Sequence, residues 1–158
     1  MSLNRESGFT MIELLVALLI LAVGLLGMAS LQAVGMRQTI NAQLTSQAVN
    51  LARDMAERMR ANPVGIKAGA YDAVTGSEQD PGCQPVCSPL QQAALDAFEW
   101  ADGVRRALGG YDDSGNDNGT VVSLVTANAD GTFTIRVGWN ELGEEGAQGN
   151  SFVLRFQP

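Results

Sequence analysis

The start of the chain carries the residues whose types and spacing point most directly to chemistry. Glu13 is the only charged residue in positions 9–36, and it lies four residues after Phe9. An acidic side chain within a membrane helix costs about 2.5 to 3.5 kcal/mol at the helix centre and less near the interface, which favours a cationic partner. If the chain were cut between Gly8 and Phe9, the new α-amine of a neighbouring copy would supply that cation. Glu13 would then be an assembly contact.

Two other groups of residues are candidates for disulfide or metal chemistry. Cys83 and Cys87 are the only two cysteines, and their spacing predicts a local disulfide in an oxidising compartment. A zinc site is disfavoured because there is no second cysteine pair and no histidine. The loop at residues 112–119 is rich in oxygen ligands but lacks the EF-hand spacing, so a solvated turn is favoured over calcium. The weak calcium candidate consists of Asp112, Asp113 and Asp117.

The composition excludes several classes of function. The chain has 158 residues, no histidine and a formal net charge of -7. Sites built on imidazole are therefore excluded, and the basic footprint of a nucleic-acid-binding protein is missing. The sequence offers no nucleophile with a base, no metal-ligand spacing and no phosphate loop. We therefore predict that the protein is not an enzyme and uses no cofactor.

The apolar stretch after Glu13 is long enough to cross a membrane. Residues 14–36 contain no charge, and about 23 residues at 1.5 Å each give roughly 35 Å of helix. A cleaved secretory signal is disfavoured because the apolar run continues past its expected cleavage region, whereas a simple one-pass anchor stays open. Small residues share one face with Glu13, within about 80° of helix surface, and would allow close helix packing in lipid. They are Ala17, Gly24, Gly27 and Gly35.

The chain then becomes amphipathic after Arg37. Apolar residues recur at intervals of three and four and span about 100° of helix surface. The same helix is therefore predicted to continue to Asn62-Pro63, giving about 50 residues in all. We predict that this stripe packs in the domain core. It consists of Ile40, Leu44, Ala48, Leu51, Met55 and Met59.

The remaining sequence predicts a loop, a second helix and a small sheet. Residues 64–89 are rich in turn-forming residues, and Ser88-Pro89 is typical of a helix start. The helix is predicted to end at about Leu108. Apolar residues recur in it at helical spacing, and Phe98 and Trp100 are predicted to pack around it as core residues. The spaced residues are Leu90, Ala94, Ala97, Ala101, Val104 and Leu108.

Alternating apolar residues predict strands at residues 120–127, 132–139 and 151–156, with a turn at 128–131. The predicted fold class is α+β. A long N-terminal helix, with a membrane half and an amphipathic half, packs on a small C-terminal antiparallel β-sheet, and a second short helix lies between them.

A resemblance to a known family is carried by residues 8–17, Gly8-Phe9-Thr10-Met11-Ile12-Glu13-Leu14-Leu15-Val16-Ala17. They resemble the class III signal of type IV pilins and type II secretion pseudopilins. The resemblance implies cleavage after Gly8 by a prepilin peptidase and N-methylation of Phe9. It also implies a pilin-like fold.

With the helical pattern, this resemblance suggests four segments. They are a prepilin leader at 1–8, a transmembrane and filament-core helix half at 9–36, an amphipathic helix half at 37–61 and a periplasmic head at 62–158.

Three further segments resemble PilV-type minor pilins, also called type IV pilus modification proteins: residues 22–32, 55–62 and 132–139. The resemblance implies a minor pilin that primes pilus assembly at or near the tip, and so serves twitching motility and cell adhesion. The implied partners are other minor and major pilins, prepilin peptidase, the inner-membrane assembly platform and, before assembly, membrane lipid. The implied location is the inner membrane with a periplasmic head, and then the cell-surface filament.

Two alternatives stay open. A type II secretion minor pseudopilin shares the N-terminal signal, and a surface-binding adhesin head on a membrane anchor would use the loops at 64–89 and 112–119. The acidic loop and the absence of the two widely separated cysteines of major pilins depart from the family pattern. These departures leave the surface contacts open.

Overall fold

The computed structural model describes residues 9–83, 86–141 and 149–158. Its helices and strands confirm the predicted α+β class, with a long N-terminal helix and a C-terminal antiparallel sheet. Their bounds are α1 Met11–Ala61, α2 Pro63–Lys67, β1 Ala73–Val74, α3 Pro89–Leu108, β2 Val122–Ala127, β3 Phe133–Trp139 and β4 Asn150–Phe156.

The long helix α1 has 51 residues and ends at Ala61, next to the predicted boundary at Asn62-Pro63. The chain divides into two compact units between Thr39 and Ile40. The first 29 residues of α1, from Met11 to Thr39, lie in the N-terminal unit, and the rest of α1 lies with all the other elements in the C-terminal unit.

The core of the C-terminal unit includes the amphipathic part of α1. Met55 and Met59 are fully buried, and Leu44 and Leu51 are half-buried against the same cluster. The predicted stripe is therefore confirmed at these positions. α3 packs on this helix, and the indole Nε1 of Trp100 donates a hydrogen bond to the backbone oxygen of Leu51 at 2.9 Å.

Helix α3 has the predicted bounds and the predicted start. Ser88 and Gln91 form a reciprocal capping box, in which each side chain accepts a hydrogen bond from the other residue's backbone N–H. At the other end Gly109 adopts the left-handed conformation that commonly ends helices. Leu90, the first apolar residue of the helical pattern, is 56% exposed. Leu90 lies in the first turn of α3, whereas the buried part of α3 begins at Ala93.

The sheet has four antiparallel strands in the order β1-β2-β3-β4. β2, β3 and β4 confirm the three predicted strands to within two residues at each end. The turn at 128–131 is also confirmed: the Asn128 N–H donates to the Thr132 oxygen, and Gly131 has the positive φ that such turns use. The inner face contributes Val125, Ile135 and Val137 to the core.

Two short elements occupy the segment that was predicted to be only loop. α2 has five residues and follows α1 after one residue, and β1 has two residues that pair with Val125 and Thr126 of β2. Both are too short to produce a periodic pattern in the sequence.

Candidate assembly surface

The N-terminal half of α1 is the most exposed apolar surface of the described chain. Among the described residues, α1 is the one helix long and apolar enough to cross a membrane, and none of its most apolar window is buried. Leu19 and Leu26 are 65% and 72% exposed. An apolar surface of this extent requires lipid or other protein surfaces as its partner.

The start of this helix positions Glu13. α1 begins at Met11, and the backbone N–H of Glu13 donates to the Thr10 backbone oxygen at 3.1 Å and to the Thr10 hydroxyl at 3.4 Å. Thr10 therefore satisfies a backbone donor that the first turn would otherwise leave free. Phe9, directly before it, is 81% exposed.

The side chain of Glu13 is exposed and forms no ion pair with any residue in 9–83, 86–141 or 149–158. Gly8, the other half of the predicted cleavage site, lies outside the described residues, as does the predicted leader. Phe9 thus lies just before α1 and Glu13 lies in its first turn, and the Glu13 carboxylate is free for a partner.

Small residues share the face of Glu13, as the sequence predicts from helix geometry. A Cβ added at Gly24, Gly27 or Gly35 would meet no atom within 4 Å. No close packing among the described residues therefore requires glycine at these positions. In lipid, such residues let the backbones of neighbouring helices approach.

A buried polar cluster joins α1, α2 and α3 in the C-terminal unit. The Tyr71 hydroxyl donates to Asp96 Oδ2 at 2.6 Å, and Asn62 Nδ2 donates to the Tyr71 oxygen at 3.2 Å and to the Pro89 carbonyl at 2.7 Å. Asn62 also caps α2 by accepting the Gly65 N–H at 3.0 Å. Burial and the hydrogen bond to Asp96 raise the pKa of Tyr71 above its ordinary range.

Sequence reasoning missed this cluster. Asn62 and Tyr71 lie between the helices and strands, and Asp96 lies 25 residues after Tyr71 in α3, so no local spacing links them. Asp96 is 5% exposed on the buried face of α3, but it is not one of the apolar positions predicted for that helix, so no pattern indicated its burial. Gln92 Nε2 donates to its Oδ1 at 2.9 Å, and Arg58 Nη1 lies 3.6 Å from the same atom. The buried charge is therefore both hydrogen-bonded and paired.

The predicted disulfide is confirmed. Cys83 and Cys87 are bonded, with Cα atoms 5.3 Å apart. The bridge lies immediately before Ser88, which caps α3, and Pro89, whose carbonyl receives the Asn62 amide. The disulfide therefore restrains the chain where it enters the polar cluster.

The structure does not bring the calcium candidates together. Asp112 Oδ1 accepts the N–H groups of Ser114 and Asn116 at 2.9 and 2.8 Å, while Asp117 lies 3.5 Å from Arg105. These hydrogen bonds, the Asn116 backbone first among them, lower the pKa of Asp112. Within the part of the chain that the structure describes, no group of three acidic or cysteine side chains could hold a metal ion.

Comparison with known proteins gives two adjoining matches. Residues 3–29 match the prokaryotic N-terminal methylation motif, and residues 30–98 match the family model described as type IV pilin Tt1218. The second match ends just after Asp96, so it includes Asn62, Tyr71 and Asp96 of the buried cluster. No curated protein and no solved structure matches the chain. The two matches and the α+β architecture together support a type IV pilin with a prepilin signal, anchored in a membrane by its N-terminal apolar helix.

Proposed function

We propose that this protein is a minor pilin of the PilV type, which primes type IV pilus assembly together with other minor pilins. Prepilin peptidase cleaves after Gly8 and methylates Phe9. Residues 9–36 hold the protein in the inner membrane with its head in the periplasm, and the assembly platform then moves it into the filament. A place at or near the tip would let it serve motility and adhesion.

The observation that carries this proposal is the free carboxylate at the start of an unburied apolar helix. Glu13 lies in the first turn of α1 and has no ion-pair partner within the described chain. Cleavage after Gly8 gives Phe9 a positively charged α-amine. In a neighbouring subunit this amine lies at the same membrane depth, so the two opposite charges can pair. Pairing offsets the cost of keeping each charge in lipid.

The small residues support the same assembly step. Gly24, Gly27 and Gly35 have open space around them in the isolated chain. Neighbouring helices can approach closely on this face, which brings the amine of one subunit within reach of Glu13 on another. Charge pairing and close packing therefore act on one surface.

The C-terminal unit supports the minor pilin assignment more weakly, through residues in the segments that resemble PilV-type proteins. Arg58 pairs with Glu99 at 2.9 Å, and Asn62 joins Tyr71 and Pro89. These residues of segment 55–62 fix the end of α1 against α3, and so maintain the surface that a partner subunit would contact.

The test is the substitution of Glu13 in living cells. Glu13→Ala and Glu13→Gln should leave membrane insertion intact and reduce incorporation into sheared pili by about tenfold or more, because both remove the charge. The matched control is Glu57→Ala, an exposed acid on the same helix that pairs with Arg60 within the chain. Normal incorporation of the Glu13 variants would contradict the pairing. The mass of the membrane-extracted protein is a second measurement: loss of residues 1–8 with one added methyl is expected, whereas an intact leader would favour a simple anchor.

The type II secretion alternative is tested by deletion. A deletion strain is expected to lose piliation and twitching while its protein secretion stays normal. Lost secretion with normal pili would assign the chain to a pseudopilus.

A further inference from the structure

A hollow of about 490 Å³ lies on the exposed face of the sheet. Gly138 lies at the base of the hollow. It pairs with Val122 on β2 and with Ser151 on β4, so the side chains of these two residues flank it on the same face of the sheet. The missing side chain creates the gap, and a Cβ at Gly138 would lie 3.1 Å from the Val122 Cβ. The volume lies within the range of small-ligand sites, about 300 to 1,000 Å³.

The described lining of this hollow consists of donors, hydroxyls and amides. Arg136 is exposed on the same face of β3 as Gly138, and it has no ion pair within the described chain. Thr120 and Ser151 add hydroxyl groups, Asn140 adds an amide, and Asn150 adds its backbone oxygen. The chain has 17 acidic residues, yet none of the described lining residues is acidic. This charge pattern favours an anionic ligand that is rich in hydrogen-bond acceptors.

Trp139 also borders the hollow, but its side chain lies on the opposite, buried face of β3, with Phe133, Ile135 and Val137. Its side chain is 3% exposed, and its Nε1 has no hydrogen-bond partner within the described chain. The Nε1 of Trp100, in contrast, is bonded to Leu51. The unpaired donor therefore belongs to the core side of the sheet and takes no part in the hollow.

We propose that this hollow binds a sugar acid: a hydroxylated ring that carries a carboxylate, such as a uronic-acid residue of an acidic polysaccharide. Arg136 donates two hydrogen bonds to the carboxylate, and the amide of Asn140 and the hydroxyl of Ser151 bind the ring hydroxyls. A single aspartate or glutamate side chain from another protein would leave most of these groups and most of the volume unused. This binding activity is separate from pilus assembly and does not rest on the minor pilin assignment.

The test uses the full chain in detergent micelles, titrated with D-galacturonate and followed by tryptophan fluorescence and calorimetry. Saturable binding is expected. D-Galactose, which has the same ring hydroxyls but no carboxylate, should bind about tenfold more weakly or worse, as should the sugar acid with Arg136→Gln. Ser151→Trp fills the hollow and should abolish binding.

The matched control is Arg155→Gln. Arg155 is an exposed arginine on the neighbouring strand β4, but its guanidinium is already bonded to Asp130 and Thr132. This variant should bind the sugar acid like the wild type, and thermal melting verifies that all variants are folded. Absence of saturable binding by the folded wild type would overturn the proposal. Equal affinity for galactose, unchanged binding by Arg136→Gln, or equal affinity for free glutamate would overturn it as well.

Discussion

The apolar side chains of helix α1 are exposed in its N-terminal part and buried in its C-terminal part. Met28, in the N-terminal unit, is 56% exposed, whereas Met55, in the C-terminal unit, is fully buried. The backbone is the same continuous helix in both places. The difference lies in the partners: strands and α3 cover the second part, and lipid or other subunits must cover the first.

Small residues sharpen this comparison. Ala48, Ala52 and Ala56 are buried in the C-terminal unit, where they let neighbouring elements approach the helix. Gly24 and Gly27 have a similarly small size but open space around them. The small residues of the C-terminal part are therefore covered by other elements of the same chain. Those of the N-terminal part are uncovered and can pack against another chain. This contrast teaches that α1 has one segment that stabilises its own fold and one that is suited to assembly.

The largest predicted effect compares one substitution in the two parts. Met55→Ala should lower the free energy of unfolding of the C-terminal unit by about 2 to 5 kcal/mol, because it leaves a cavity in the core. Met28→Ala is the matched control and should leave that free energy unchanged. Both are measured by urea unfolding of the full chain in micelles. Tryptophan fluorescence reports only on the C-terminal unit, since Trp100 and Trp139 both lie there.

The comparison would fail if both methionine variants lost similar stability. Such a result would mean that the exposed part of α1 contributes to the folding of the C-terminal unit. A loss for Met55→Ala alone assigns folding to one part of the helix and leaves the other free for partners.

The next effect tests the buried polar cluster. Tyr71→Phe removes the hydroxyl that donates to Asp96 and accepts from Asn62, and should cost about 1 to 3 kcal/mol. Tyr111→Phe is the control: Tyr111 is only half-buried, although it also donates to an acid, Asp102. It should cost less. Equal losses would contradict a special role for the buried cluster.

The pH dependence gives this prediction a second readout. The pKa of Tyr71 is raised above its ordinary value of 10.0 in the folded protein. Its contribution to stability should therefore be complete below pH 10 and should decline as the pH rises above that value. The free energy of unfolding of Tyr71→Phe should therefore fall less than that of the wild type above pH 10, as measured by urea unfolding at several pH values.

Sequence periodicity predicted the elements that are long enough to repeat a pattern. α1, α3 and the three longer strands each present at least two apolar residues at regular spacing, and their bounds agree closely with the structure. The capping residues Ser88 and Gly109 mark the ends of α3 for local reasons that a sequence already contains.

Features that depend on residues distant in sequence could not be predicted in this way. The role of Asn62 depends on Tyr71, Pro89 and Asp96, which approach it only in the folded chain. The exposure of Leu90 depends on where the core ends, which helical spacing alone does not reveal. The hollow above Gly138 depends on strand register, since Val122 and Ser151 reach it from two other strands.

A smaller effect is expected from the disulfide. The double variant Cys83→Ser/Cys87→Ser should lower the free energy of unfolding by about 2 kcal/mol or less, because a loop this short restricts the unfolded chain only modestly. Reduction of the wild type should give the same loss, and reduction of the double variant should give none. A loss of unfolding free energy as large as that of Met55→Ala would show that the disulfide also holds the start of α3 in place.

The smallest predicted effect concerns Asp112 in the acidic loop at residues 112–119. It would explain part of the loss of stability of the C-terminal unit at acid pH. Hydrogen bonds from the Asn116 and Ser114 backbone lower the pKa of Asp112 below its ordinary value of 3.8. A lowered pKa in the folded state means that the stabilisation is present above pH 3.8 and is lost as the pH falls through the folded value.

Asp112→Asn keeps an oxygen that can accept the same hydrogen bonds but removes the charge, so its melting temperature should fall less steeply below about pH 4 than that of the wild type. Asp113→Asn removes the same charge from the same exposed loop and serves as the control, since its side chain accepts no hydrogen bond within the described chain. If Asp113→Asn reduced the fall in melting temperature at acid pH as much as Asp112→Asn does, loop charge alone would explain the effect. A change confined to Asp112→Asn would instead assign it to the hydrogen bonds that order this turn.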